Sequence, residues 1–172
     1  MHRKFATAAA LMFASASVAI AQPAAKPTDP QIAHIAYTAG VIDIAAAKQA
    51  LAKSKNPEVR SFAEEMVRDH SAVNDQALAL VHKLHVTPQD NPTSVALTAA
   101  AAQHRADYAK LHGRAFDLAY AQNEVAYHHT VNGALATVLI PDAQNSELKS
   151  LPNIACLAFF KISTIRSGSC SM

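Results

Sequence analysis

The feature that most constrains this chain is a pair of long amphipathic helical patterns, each introduced by a proline. In Asp29-Pro30 and Asn56-Pro57 a capping side chain stands directly before proline, which is favoured in the first turn of a helix. Apolar residues then recur at spacings of three and four, up to about Lys53 in the first pattern and His85 in the second. Because only a few residues separate the patterns, the two helices are predicted to lie antiparallel.

Each predicted inner face contains an ionisable side chain, Asp43 in the first helix and His70 in the second. A buried carboxylate or imidazole is costly unless it is paired, hydrogen-bonded or bound to a metal. The other predicted inward positions are Ile32, Ile35, Ala36, Ala39, Ile42, Ala46 and Ala50 in the first helix, and Val59, Phe62, Ala63, Met66, Val73, Ala77, Leu80, Val81 and Leu84 in the second.

The second half of the chain is also predicted to be helical. Thr87-Pro88 and Asn91-Pro92 indicate a longer loop, after which helices are expected over about 93–111 and 114–138. Gly113 either kinks one helix here or separates two. Ile140-Pro141 ends this stretch, and Asn145-Ser146-Glu147 has the cap and acid of another helix start. With only four Gly and no Trp among 172 residues, helix is favoured over sheet, and 29–150 is predicted to be one bundle domain.

The N-terminal residues predict export. Arg3 and Lys4 precede an apolar run that ends in Ala19-Ile20-Ala21, a small-x-small cleavage pattern, so 1–21 is predicted to be a signal peptide and 22–28 a linker. The apolar run is shorter than the roughly 20 residues that span a bilayer, and no later stretch is long and apolar enough to cross one. Loss of Arg3 and Lys4 would cancel the formal charge of +2, which argues against a nucleic-acid binder.

Residues 151–172 differ in composition from the rest of the chain and are predicted to be a separate C-terminal segment. Pro152 interrupts the helical pattern, and the mixed apolar run 154–165 leads into a Ser- and Cys-containing end. Cys156 and Cys170 could pair in an oxidising compartment, and the sequence leaves that pairing open.

Five ionisable residues form the candidate metal set: Asp43, Asp69, His70, Glu124 and His128. Glu124 and His128 are four residues apart and share a helix face with Asp117. Iron, manganese or zinc are the candidate ions. Ferritin-like di-metal bundles use Glu-x-x-His elements, but Val67 and Val125 stand three residues before the two histidines, so that pattern is incomplete. The alternative is a core histidine that pairs with Asp69 or Glu124.

Other polar motifs carry less information. His82-x-x-His85 has a spacing that can hold a metal, but it lies at a helix end, where positive charge is favoured on a solvated terminus. The sequence has no Gly-x-Ser-x-Gly motif and no phosphate-binding Gly-rich loop. Catalysis therefore has no positive support, and whether the protein is an enzyme stays open.

Three segments resemble a family of bacterial exported proteins of unknown function whose members are often labelled outer membrane proteins. They are Phe62-Ala63-x-x-Met66-Val67-x-Asp69-His70-Ser71-x-x-Asn74, Gly113-x-x-Phe116-Asp117-x-x-Tyr120-x-x-x-Glu124-Val125-x-x-His128, and Leu139-Ile140-Pro141-x-Ala143-x-Asn145-x-Glu147-Leu148-Lys149. The resemblance covers about 29–151. It implies a ferritin-like antiparallel four-helix bundle in the periplasm or at the outer membrane, with no established activity.

The chain departs from this family after Leu151. Members continue into a final amphipathic helix with a Pro and an inward His, whereas 152–172 looks unrelated. The final helix is therefore expected to be divergent or incomplete. Loss of one of four helices would expose apolar faces unless 154–165 covers them, and an uncovered domain would be marginally stable.

Two functional hypotheses follow, while a third class, a small-ligand binder that uses the space left by the altered final helix, has no residue-level support in the sequence. The first is a non-enzymatic structural, stress-related or interaction module of the cell envelope, with an envelope protein or a second copy of the chain as partner. The second is a metal-binding or metal-oxidising ferritin-like protein that uses the five candidate residues.

Overall fold

The computed structural model describes residues 26–150, and within that range it is helical without strands. Its four long helices are α1 (Asp29–Lys53), α2 (Pro57–Lys83), α3 (Pro92–Ala109) and α4 (Gly113–Ala134). A π-helical turn, Leu135–Leu139, continues α4 and leads into α5 (Ile140–Asp142), and α6 (Ser146–Ser150) follows. The prediction of an all-α helical bundle is confirmed. The predicted signal peptide, residues 22–25 of the linker, the segment 151–172 and both cysteines lie outside the described residues.

The helices α1 and α2 start at the predicted proline signals, but the N-cap of α1 is one residue earlier than predicted. Thr28, not Asp29, is the N-cap of α1, and the Gln31 side chain accepts a hydrogen bond from the Thr28 backbone N–H at 3.0 Å. The Asp29 carboxylate instead accepts hydrogen bonds from two backbone N–H groups in the α5–α6 connection, those of Gln144 and Asn145. The Asp29 side chain thus ties the start of α1 to the end of the described chain.

Asparagine caps begin the next two helices. The Asn56 side chain accepts a hydrogen bond from the Glu58 N–H at 2.9 Å, as the sequence predicted. The Asn91 side chain accepts one from the Ser94 N–H at 3.0 Å, so Asn91-Pro92 ends the loop and also starts α3. Both asparagines satisfy N–H groups that have no partner within the helix.

A break at Gly113 separates α3 from α4. Gly113 has a φ of +52°, a conformation that glycine adopts without the steric cost of a Cβ. Of the two possibilities left open by the sequence, one kinked helix or two separate helices, the structure has two helices. Four long helices consequently lie within residues 29–134. The helix predicted to start at Asn145-Ser146-Glu147 is the short α6.

Two apolar clusters occupy opposite ends of the bundle. The first lies towards the α1–α2 connection and contains Ala46, Ala47, Ala50, Val59, Phe62, Ala63, Met66, Phe116 and Tyr120. The second lies at the other end and contains Ile32, Ala33, Ile35, Leu80, Val81, Leu135, Leu139, Ala143 and Leu148. Fully buried alanines such as Ala47 and Ala63 allow α1 and α2 to pack closely. In each of α1, α2 and α4, the polar residues described below lie between the two clusters.

The helix α3 packs mainly on α1, and Ser94 is its one fully buried residue. The Ser94 hydroxyl lies 3.0 Å from Nδ1 of His34, and Asp90 lies 3.1 Å from the other ring nitrogen. Val95 is 60% exposed, so this helix contributes little to the core. Among the described residues, none of the helices combines the length and the apolar character that crossing a bilayer needs.

Candidate metal centre

Three helices bring one carboxylate and two imidazoles together in the layer between the apolar clusters. Asp43 comes from α1, His70 from α2 and His128 from α4. One ligand atom from each residue lies within 4.8 Å of the other two. The Asp43 Oδ2 atom is 2.5 Å from His70 Nε2 and 3.5 Å from His128 Nε2. Three potential ligands thus converge on one small volume.

The ring of His128 is oriented by its own helix. Its Nδ1 lies 2.9 Å from the backbone carbonyl oxygen of Glu124, one turn earlier in α4. An Nδ1–H that donates to this carbonyl leaves the Nε2 lone pair directed at Asp43, which is the tautomer that a metal ligand needs. The two histidine rings are neighbours, with centroids 5.8 Å apart.

Glu124 forms a carboxyl pair with Asp43. Burial, together with the charge of Asp43 and a hydrogen bond to it, raises the pKa of Glu124 well above its usual value. Burial also raises the pKa of Asp43, but hydrogen bonds with His70 and Glu124 and the charges of His70 and His128 together outweigh that effect, so the pKa of Asp43 is lowered overall. Asp43 is therefore the anionic member of the pair and Glu124 the protonated member.

Several buried polar atoms around this pair have no hydrogen-bond partner within the described part of the chain. They include His128 Nε2 and the Tyr120 hydroxyl. Burial raises the pKa of Tyr120 and of Tyr127, so both phenols are neutral. The Tyr127 hydroxyl donates a hydrogen bond to the Ala39 carbonyl at 2.8 Å, which ties α4 to α1 one turn before Asp43. Most buried polar groups in proteins are satisfied by protein atoms, ordered water or bound ions, so these atoms are available to a bound species.

The donor set suits a first-row divalent ion. Ligands at about 2.0–2.1 Å from a tetrahedral ion are separated from one another by about 3.3 Å. The 3.5 Å between His128 Nε2 and Asp43 Oδ2 is close to that separation. The contact between His70 and Asp43 is shorter and contains a proton, so an ion would displace this proton and widen the gap by about 1 Å. Two imidazoles and one carboxylate fit zinc, iron(II) or manganese(II).

Of the five candidate residues, the structure brings four together. Asp43, His70 and His128 form the triad, and Glu124 lies beside it with Oε2 at 3.7 Å from His128 Nδ1. Asp69 is not among them, because its half-exposed side chain pairs with Arg68 at 2.8 Å on the outer face of α2.

The carboxylate that pairs with His70 is Asp43, whereas Glu124 lies beside His128 and Asp69 pairs with neither histidine. Helical spacing identifies which residues point inwards, but the pairing across the bundle depends on how the helices stagger. The sequence also placed Tyr120 only on a strip beside the site, whereas its side chain is fully buried. Its position four residues before Glu124 was the available signal.

Comparison with known proteins adds one finding. No curated protein and no solved structure matches the chain. Residues 14–153, well over half of the chain, match a family described as a domain of unknown function. The chain therefore belongs to this family, DUF4142, whose biochemical activity is unknown.

Proposed function

We propose that this protein binds one divalent transition-metal ion through Asp43, His70 and His128. The observation that carries the proposal is the convergence of three ligand atoms from three helices within 4.8 Å, in a layer where Asp43 and His128 are buried and His70 is partly buried. Metal sites in helical bundles are built in the core by side chains of facing helices. Iron, manganese and zinc remain the candidate ions.

Electrostatics supports a cation more than a simple ion pair. The carboxyl oxygens of Asp43 and Glu124 are buried in the same small volume, and His128 Nε2 has no hydrogen-bond partner among residues 26–150. A lone pair and two acidic groups that share a buried site are stabilised by a cation. A histidine held only by a carboxylate would account for His70, but not for the orientation of His128.

Three protein ligands leave coordination positions open, which is typical of sites where an ion contacts water or a small molecule. We propose no reaction for the site. A structural or stress-related role, with an envelope partner or a second copy of the chain, stays a prediction from the sequence.

The test is a titration of chelator-treated protein with zinc, and with iron(II) and manganese(II) under anaerobic conditions. We expect about one ion per chain, with release of the proton between His70 and Asp43. His70→Gln and His128→Gln should each weaken binding at least about tenfold. The matched control is His82→Gln, which changes an exposed histidine of the same helix as His70.

Circular dichroism of each variant shows whether the helices persist. Unchanged stoichiometry and affinity in folded His70→Gln and His128→Gln proteins would contradict the proposal. A folded wild-type protein that takes up none of the three ions would contradict it as well.

We also propose that the protein acts outside the cytoplasm, on the strength of the basic start, the apolar run and the cleavage pattern within residues 1–21. Mass spectrometry of the protein recovered from a periplasmic fraction tests this, with an N-terminus at Gln22 expected. Recovery of uncleaved protein from the cytoplasm would contradict it.

A further inference from the structure

A cavity of about 770 Å³ lies among the four long helices, next to the candidate metal centre. Its volume is in the range of small-molecule sites, about 300–1,000 Å³. Residues of α1, α2, α3 and α4 all contribute to its lining, and it extends along the π-helical turn. Most of the wall is apolar, as shown by Ile35, Ala39, Val73, Ala77, Val131 and Leu135.

Polar side chains line the cavity in more than one place. Far from the metal centre, Lys26 and Asp142 pair with each other at 2.7 Å, and the Asn91 side chain bonds to backbone groups.

Other polar side chains lie where the cavity meets the metal centre. His70 and His128 line the cavity, and they separate it from Asp43 and Glu124, which do not. Asn74 is also part of the wall there, is 6% exposed, and has an Oδ1 atom without a hydrogen-bond partner among the described residues. The cavity therefore combines a mostly apolar wall with one end where buried polar atoms, Asn74 Oδ1 and His128 Nε2, have no hydrogen-bond partner among the described residues, which suits a molecule with one polar head.

The length of the cavity limits the size of such a molecule. Its wall runs along α4 and the π-helical turn from His128 to Leu139. At a rise of 1.5 Å per residue this corresponds to about 16 Å. An extended alkyl chain of medium length fits within that distance.

We propose that this cavity binds an aliphatic monocarboxylate of medium chain length, with the carboxylate at the His70–His128 end and the alkyl chain along the apolar wall. The position of the head group rests on the proposed metal-binding function. The triad contributes one formal negative charge, that of Asp43, which is less than the positive charge of a divalent ion. A monoanion at an open coordination position therefore reduces the net buried charge. The apolar part of the site does not depend on the ion.

The experiment is calorimetric titration of the full chain with decanoate, before and after loading with zinc. Zinc binding is measured first, without decanoate. We expect saturable binding of one decanoate to both forms, at least about tenfold tighter in the zinc-loaded form. The neutral analogue 1-decanol should bind the two forms with equal affinity, because it lacks the charge.

Ala77→Leu places a larger side chain in the wall and should weaken decanoate binding at least about tenfold. Ala99→Leu makes the same change on the exposed surface of α3 and should have no effect. Thermal unfolding shows whether both variants fold. If Ala77→Leu does not fold, Ala39→Leu provides a second enlargement of the cavity wall.

The outcomes separate the two proposals. If zinc does not bind but decanoate binds and is lost in Ala77→Leu, the metal function fails and the cavity assignment stands for the alkyl chain alone. If zinc binds but decanoate does not, or if decanoate binds Ala77→Leu and wild type equally, the cavity proposal is overturned. Failure to bind because another segment of this chain fills the cavity counts equally against it.

Discussion

Gly40 of α1 and Asn74 of α2 are in such close contact that a side chain at position 40 would overlap the Asn74 amide. A Cβ added to Gly40 would lie 2.3 Å from Asn74 Oδ1 and 2.9 Å from its Cγ. Asn74 is buried, so a Cβ at position 40 would have to displace its amide. Gly40 is one turn before Asp43, and Asn74 is one turn after His70. The missing side chain thus allows α1 and α2 to approach where the first two members of the triad meet.

This contact predicts that the effect of Gly40→Ala on the free energy of unfolding changes sign with the residue at position 74. In the wild type the substitution should lower the free energy of unfolding by about 1–2 kcal/mol, because steric overlap outweighs the helix-propensity gain. In an Asn74→Ala background the overlap is absent, and the same substitution should be stabilising by up to about 1 kcal/mol.

Urea denaturation of the four proteins in this double-mutant cycle provides the measurement. A Gly40→Ala effect that is the same in both backgrounds would show that the close contact does not limit the packing. Zinc titration of the same four proteins shows whether the approach of α1 and α2 also matters for the triad.

The raised pKa of Glu124 predicts a pH-dependent effect of Glu124→Gln in chelator-treated protein. A carboxyl whose folded pKa exceeds its unfolded value contributes stability that is fully present below the unfolded pKa, 4.5, and is lost as the pH rises. Glutamine mimics the protonated carboxyl and cannot ionise. Glu124→Gln should therefore raise the free energy of unfolding at pH 7, and the gain should shrink towards pH 4.

Urea denaturation at both pH values checks this expectation, with Glu64→Gln on the exposed face of α2 as the matched control. A gain of equal size at pH 4 and pH 7 would mean that Glu124 is not protonated in the folded metal-free protein.

The C-terminus of α2 predicts a stabilising substitution, His85→Gly. His85 has a φ of +52°, and the Val86 and His85 N–H groups donate hydrogen bonds to the carbonyls of Val81 and His82. These are the two bonds of a Schellman motif, in which the left-handed residue is usually glycine. His85→Gly should raise the melting temperature by an amount equivalent to about 1 kcal/mol.

The control for this change is His82→Gly, which lies within the last turn of α2 and should be destabilising by about 1 kcal/mol. If both glycines lower the melting temperature, the αL conformation at position 85 carries no strain.

Phe116 provides a test of the first apolar cluster. Its ring is 1% exposed and is stacked parallel to Tyr120 with centroids 6.3 Å apart. Phe116→Ala should lower the free energy of unfolding by about 3–5 kcal/mol. Leu118→Ala, two residues along α4, removes a side chain that is 54% exposed and should cost less than about 1 kcal/mol. If both variants lowered the free energy of unfolding by similar amounts, Phe116 would not be part of the core.

Local sequence signals were sufficient for the helices. Asn56-Pro57, the spacing of apolar residues and the rarity of glycine specified α1 and α2 nearly to their ends, since caps and amphipathic periodicity act within a few residues. The same periodicity placed Asp43, His70, Glu124 and His128 on inward faces. Whether Gly113 kinks or breaks a helix was not decided by the sequence, because glycine permits both and the packing of α3 and α4 selects one.

The partners of those inward residues were decided only by the tertiary structure. Nothing in the spacing within α2 shows that His70 meets Asp43 of α1, or that Asp69 turns outwards to Arg68. The stagger of two helices depends on close contacts such as that of Gly40 with Asn74, between residues 34 positions apart in the chain. Helical periodicity describes one helix at a time, whereas a binding site needs the relative positions of three.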